Sequence, residues 1–149
     1  MNKFLIGVWG NPFYWNKVRY IYHNTSKESK SSLPLIREIE KPDKVIIICS
    51  DTIIDDLANF KNYNELKSNS KDIIELFSSE ELNFKPNKVI VGYGRGEFKK
   101  TRFLGNASDF YYIVMAELIF ALIENLNFNH KEIEVIFDIT HGINFTTVL

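Results

Sequence analysis

The chain has 149 residues, 45% apolar and 14% aromatic, enough for one domain with its own core and too few for two ordinary ones. Its 18 Lys and Arg against 19 Asp and Glu leave a formal net charge of -1, so there is no global field for nucleic acid or an anionic membrane, and any anionic partner has to be held by a local arrangement. A single cysteine, Cys49, excludes an intrachain disulfide; inside the apolar run KVIIICSD it reads as packing in a reducing, cytoplasmic setting.

The opening MNKFLIGVWG lacks a small-residue cleavage site and its apolar run is too short for a signal peptide, so Lys3 to Trp9 reads as a first buried strand. Gly10, Asn11 and Pro12 then make a turn. KVRYIYH, aromatic and β-branched, predicts a short strand or hairpin arm, and HNTSKESKSS a polar loop. Ser31 and Ser32 stand directly before LPLIREI, which predicts a serine-capped helix with proline in its first turn. DKVIIICS is the next buried strand, and it releases the polar DTIID.

Asn64 to Ser79 carries Leu66, Ile73, Ile74 and Phe77 at mixed helical spacings, a weaker helix. NKVIVGYG is a third strand, followed by GYGRGEFKKTRFLGN, read as a glycine-rich basic loop. Ala107 to Asn125 predicts a long helix that starts near Ser108 and Asp109 and is apolar on nearly every face, so it has to be covered on two sides, in part by a second copy of the chain. Its apolar stretch Phe110 to Ile123 is shorter than the ~20 residues a membrane span requires and carries Glu117 at its centre. EIEVIFDIT is the fourth strand, with a helix beginning at Asn144. Strands alternating with helices imply an α/β fold, a Rossmann-like, mostly parallel sheet with helices on both faces.

Polar and small residues recur at the strand exits, at Gly10, Asp51, Gly92 and Thr140, and the exits of a parallel sheet converge on one rim. Gly92, Gly94 and Gly96 let backbone N–H groups approach phosphate, but their spacing is not the dinucleotide fingerprint. The run is either a surface loop or, with Arg95, Lys99, Lys100 and Arg102 beside it, a polyanion contact. Thr140, His141 and Gly142 read either as a helix cap and tight turn or as a phosphate contact at a helix N-terminus. Asp138 could orient the imidazole, but no second histidine or carboxylate lies at ligand spacing, so no metal and no cofactor are expected.

VWGNPFYW, KSSLPLI, DKVIIICSDT, FLGNASDFYYIVMAEL and FDITHGIN, in that order, resemble the CARF (CRISPR-associated Rossmann fold) domain of the archaeal Csx-type CRISPR ribonucleases. The likeness runs over almost the whole chain. It implies an antiviral sensor that is homodimeric and binds a cyclic oligoadenylate, most of all cyclic tetra-adenylate, the messenger of type III CRISPR complexes. Carried over, the ligand site comprises Gly10, Asn11, Pro12, Ser31, Ser32, Thr140, His141, Gly142 and Asn144, with Asp51, Thr52, Gly94 and Arg95 lining the remainder.

No membrane or DNA partner is implied. The sequence departs from the family in lacking the C-terminal HEPN ribonuclease motif, since Arg19 and His23 are too close and lie on a predicted strand. The chain is therefore expected to be a sensor domain over residues 1–149 without the effector. A slow metal-independent ring nuclease working in the same pocket is the alternative, and an unrelated Rossmann-like nucleotide-binding enzyme a third reading.

Overall fold

The computed structural model describes residues 2–54, 60–98, 101–126 and 132–142, with the side chain of Phe98 left aside. Four strands, β1 (Asn2–Trp9), β4 (Lys44–Ser50), β5 (Lys88–Gly92) and β8 (Ile133–His141), form one sheet in the order β5-β4-β1-β8. Every neighbouring pair is parallel. These are the apolar runs of the sequence: β4 is buried along nearly its whole length, as a strand covered on both faces has to be.

Alternation along the strands divides the core. Leu5, Val45, Ile47 and Val89 pack with Leu33 and Ile36 of α1 (Leu33–Glu40) and with Leu66, Ile74 and Phe77 of α2 (Tyr63–Leu82) on one face. Phe4, Ile6, Ile46, Ile48 and Ile90 meet Phe110, Val114, Leu118 and Ala121 of α3 (Ala107–Asn125) on the other. Burying one such aliphatic side chain stabilises the fold by about 1.5–3 kcal/mol.

The helix boundaries follow local chemistry. Asn62 accepts from Glu65 N–H at 3.1 Å to cap α2, and Asn106 accepts from Asp109 N–H at 2.8 Å to cap α3. At α1 the neighbouring serines exchange roles: Ser32, at the cap position, makes no side-chain capping bond, while Ser31 Oγ accepts from Leu33 N–H at 3.2 Å. Gly7 of β1 makes room for this helix start, because a Cβ there would come within 2.6 Å of Leu33 Cδ1.

Two segments depart from the sequence reading. The polar stretch expected to be a loop contains β3 (Thr25–Ser29), paired antiparallel with β2 (Val18–Tyr22). The glycine-rich basic loop is also a ribbon, β6 (Arg95–Phe98) against β7 (Thr101–Leu104), with Gly96 at a positive φ of 132°. Cross-strand pairing supplies hydrogen bonds that local composition does not announce. Among the described residues α3 is covered on one side only: Tyr112, Ile119, Phe120 and Ile123 are exposed. So is the same face of β8, where Ile133, Val135, Phe137 and Ile139 are 51%, 37%, 55% and 54% exposed.

No described helix is long and apolar enough to cross a membrane. The strand order reverses at β1, with β4 on one side and β8 on the other. The crevice beyond the C-terminal ends of β1 and β8 is therefore the topological switch point, where open α/β sheets take ligands.

Candidate functional site

Two polar clusters occupy the rim. The first stands at the switch point and begins with an irregularity in the ladder: Gly7 pairs with Asp138, but Trp9 pairs with His141. Two steps along β1 thus match three along β8, and the additional residue in β8 is a bulge. Strict alternation would place His141 on the face of Ile139. The bulge turns it to the face of Trp9 and Asp138, towards α1 and the β2–β3 hairpin.

There the imidazole stacks on Trp15, with centroids 4.0 Å apart and planes at 24°. Its Nε2 lies 2.8 Å from the hydroxyl of Tyr20. Its own carbonyl accepts from Gly10 N–H at 2.8 Å, which ties the two strand exits together. Partial burial lowers the pKa of His141 from its ordinary value, the nearby Asp138 carboxylate opposing, so the ring is neutral at pH 7. Burial and the same carboxylate raise that of Tyr20, which stays protonated.

Asp138 does not orient the histidine. Its Oδ2 accepts from Ser32 Oγ at 2.5 Å, and its Oδ1 from Thr140 N–H and Oγ at 3.1 and 2.6 Å. The buried carboxylate thereby joins the start of α1 to the bulge, and the Ser32 hydroxyl is committed inside the protein. Ser31 is fully buried as well. Asn11 Oδ1 accepts from Phe13 N–H at 3.0 Å and starts the short 3-10 turn Pro12–Tyr14, in which Pro12 is buried and Phe13 and Tyr14 are exposed. Thr140 is exposed, and Gly10, Asn11, His141 and Gly142 are partly so. These are the groups a ligand at the crevice would meet first.

The second cluster sits at the exits of β4 and β5. Asp51 is only 4% exposed, and it accepts from Gly94 N–H at 2.7 Å, from Ser50 Oγ at 3.3 Å and from the Tyr63 hydroxyl. Burial raises its pKa despite these donors. Gly94 packs so closely that a Cβ would meet Thr52 Cγ2, Ser50 Oγ and Asp51 Oδ1 at 2.1, 2.3 and 2.7 Å. Gly105 N–H donates to Gly94 C=O at 2.9 Å and closes the foot of the β6–β7 ribbon. Arg95 is exposed on that ribbon. Cys49 beneath is buried, its thiol pushed up to about 12 by desolvation and the Asp51 charge, and is inert as a nucleophile.

Of the residues read from the sequence, Gly10, Asn11, Pro12, Ser31, Ser32, Thr140, His141 and Gly142 are thus brought to the switch point, whereas Asp51, Thr52, Gly94 and Arg95 belong to the second cluster. Asn144 and Lys99 lie outside the described residues. Trp15 and Tyr20, which hold the histidine, were not read as site residues. Tyr20 meets a partner 121 positions away, so no local pattern marks it. Among the described residues no cluster of three or more His, Cys, Asp or Glu could hold a metal ion.

The family model described as "CRISPR system endoribonuclease Csx1, CARF domain" matches residues 4–149. A curated relative, the CRISPR system endoribonuclease Csx1 of Methanocaldococcus jannaschii, is 38% identical over 155 aligned positions that take in all of this chain and 31% of the relative. The chain thus spans about a third of that relative's length.

Proposed function

Because this chain belongs to the CARF-domain family of the Csx1 endoribonucleases, we propose that it is the sensor part of a type III CRISPR defence protein and binds a cyclic oligoadenylate, cyclic tetra-adenylate before others, in a pocket shared by two copies. The observation that carries this reading is the switch-point cluster. A neutral imidazole held between Trp15 and Tyr20 stands beside Gly10, Asn11 and Thr140 at the place where α/β sheets take nucleotides. These are uncharged donors and acceptors, which suits a chain of net charge -1.

A cyclic tetranucleotide presents the same phosphates and bases in each half, and a two-fold dimer would offer each half the same groups. The bare apolar strip of β8 and α3 supports association of copies. Ligand binding at the shared pocket would be relayed to a ribonuclease unit elsewhere in a longer protein.

The test is calorimetry with cyclic tetra-adenylate, cyclic hexa-adenylate, linear tetra-adenylate and ATP, with chromatography of the ligand afterwards. The expected result is one cyclic tetra-adenylate per two chains, bound more tightly than the linear and mononucleotide controls. One ring per chain, or a stable monomer by light scattering at micromolar concentration, removes the shared pocket. Equal affinity for ATP removes the sensor reading.

A further inference from the structure

We propose that Tyr20 is a positioning residue that fixes His141 as a neutral imidazole carrying its proton on Nδ1, so that the ring offers a hydrogen-bond donor, rather than a base, to a phosphodiester oxygen at the switch point. The ligand half of this proposal rests on the sensor reading above; the tautomer half does not.

The Tyr20 hydroxyl carries a single proton to donate. Two acceptors lie near it, His141 Nε2 at 2.8 Å and Lys30 C=O at 3.4 Å. An O–H donor prefers partners at about 2.5–3.0 Å, so the near nitrogen takes the proton and the carbonyl is a poor competitor. Acidity points the same way, because a phenol is a stronger donor than a neutral imidazole N–H and a bare imidazole nitrogen a stronger acceptor than a phenol oxygen. With Nε2 accepting, the proton of a neutral ring has to sit on Nδ1.

The protein holds the rest of the geometry. Trp15 lies flat against the ring at 4.0 Å and sets its plane, while Tyr20 meets it edge-on at 73°. The bulge in β8 fixes the point from which the side chain leaves the sheet. The charged group nearest by sequence, Asp138, is occupied by Ser32 and Thr140 and does not compete for the imidazole proton. A site that has to hold an anion near neutral pH gains from a donor whose direction is set before the ligand arrives.

The tautomer is read directly from the imidazole nitrogens of the unliganded chain by 15N NMR at neutral pH. The expected spectrum has Nδ1 protonated and Nε2 bare. Nε2 protonated, or a signal averaged between the two forms, overturns the proposal whatever the ligand does.

In Tyr20→Phe, which keeps the ring and the packing, the signal should shift towards the averaged form with an unchanged thermal midpoint, and affinity for cyclic tetra-adenylate should fall about three- to tenfold. Trp15→Phe should keep most of the affinity and Trp15→Ala lose it. A Tyr20→Phe chain that changes tautomer but binds the ring as wild type overturns the role towards ligand. If wild type binds no ring at all, the sensor reading fails, and the tautomer stands or falls on the spectrum alone.

Discussion

The exits of β4 and β5 and those of β1 and β8 carry the same kinds of residue, an aspartate and a hydroxyl or glycine after an apolar run, and they use them in opposite ways. At β4, Asp51 is turned inward and collects Gly94 N–H, the Ser50 hydroxyl and Tyr63, so its polar capacity is spent on fastening the β6–β7 ribbon to the sheet. At β8, Asp138 is equally buried and equally occupied, but what it fastens is a bulge, and the bulge delivers a partly exposed imidazole to the crevice. A buried carboxylate at a strand exit is thus a clamp in both places. What differs is that the second clamp leaves a partly exposed, oriented imidazole at the rim.

Substitutions at the two clamps should act differently, and the largest effect is expected at β4. Gly94→Ala forces a methyl group into contacts of 2.1–2.7 Å and should destabilise the chain by about 3 kcal/mol, read as a lower urea midpoint. The folded fraction should still bind cyclic tetra-adenylate within about twofold of wild type on the scale of kcal/mol differences of a few tenths. A midpoint unchanged from wild type means the foot of the ribbon is not close-packed.

The mirror experiment is His141→Ala. Loss of a partly buried hydrogen bond to a charged oxygen is worth about 1.5–3 kcal/mol, so ring affinity should fall about tenfold to a hundredfold. Lys99→Ala should cost under about 1 kcal/mol, the size of a screened single-cation contact. Stability of the histidine variant should stay within about 1 kcal/mol of wild type. The reverse ranking in calorimetry would move the ligand to the basic ribbon. Retained affinity with loss of ligand cleavage would make the histidine catalytic and favour the ring nuclease.

A smaller effect at the β4 clamp depends on pH. Burial holds the folded-state pKa of Asp51 above its unfolded value, so the folded chain binds that proton more tightly than the unfolded one. The resulting stabilisation is complete below the unfolded carboxylate pKa and declines as pH rises through the raised folded value. Asp51→Asn should lack this decline, so the difference in unfolding free energy between variant and wild type should grow in the variant's favour as pH rises across the acid range. A difference that is flat with pH would leave Asp51 without its desolvation cost.

The smallest effect concerns His141 itself. Its lowered pKa keeps it neutral near pH 7, so ring affinity should be level from neutral to mildly alkaline pH and rise as pH falls through the histidine pKa, when the ring gains a proton and a charge. The rise should vanish in His141→Ala. A rise of the same size in both would assign the pH dependence elsewhere.

Much of this protein is written locally. The runs FLIGVW, KVIIICS and NKVIVG are apolar enough to demand burial on both faces, Ser108 and Asp109 mark the first turn of α3, and the alternation of strand and helix limits the fold to a parallel sheet with a rim of polar exits. The ribbon β6–β7 and the strand β3 escaped that reading, because glycines, serines and lysines become strands only when a partner supplies the other half of the ladder. The four apolar residues on the outer face of β8 were legible as a strand, but not as a strand left bare.

The site divides in the same way. Local sequence is enough to put Gly10 and His141 at strand exits, since that depends only on where apolar runs stop. The tertiary structure decided which exits are neighbours, through a strand order that reverses at β1, and which way the histidine faces, through one additional residue in β8. It also chose Trp15 and Tyr20 to hold that ring across more than a hundred positions of chain. A strand's side chains alternate by a rule of the backbone alone, but a bulge and a long-range hydrogen bond exist only as differences in energy between packed alternatives, and those energies are defined only once the whole sheet has assembled.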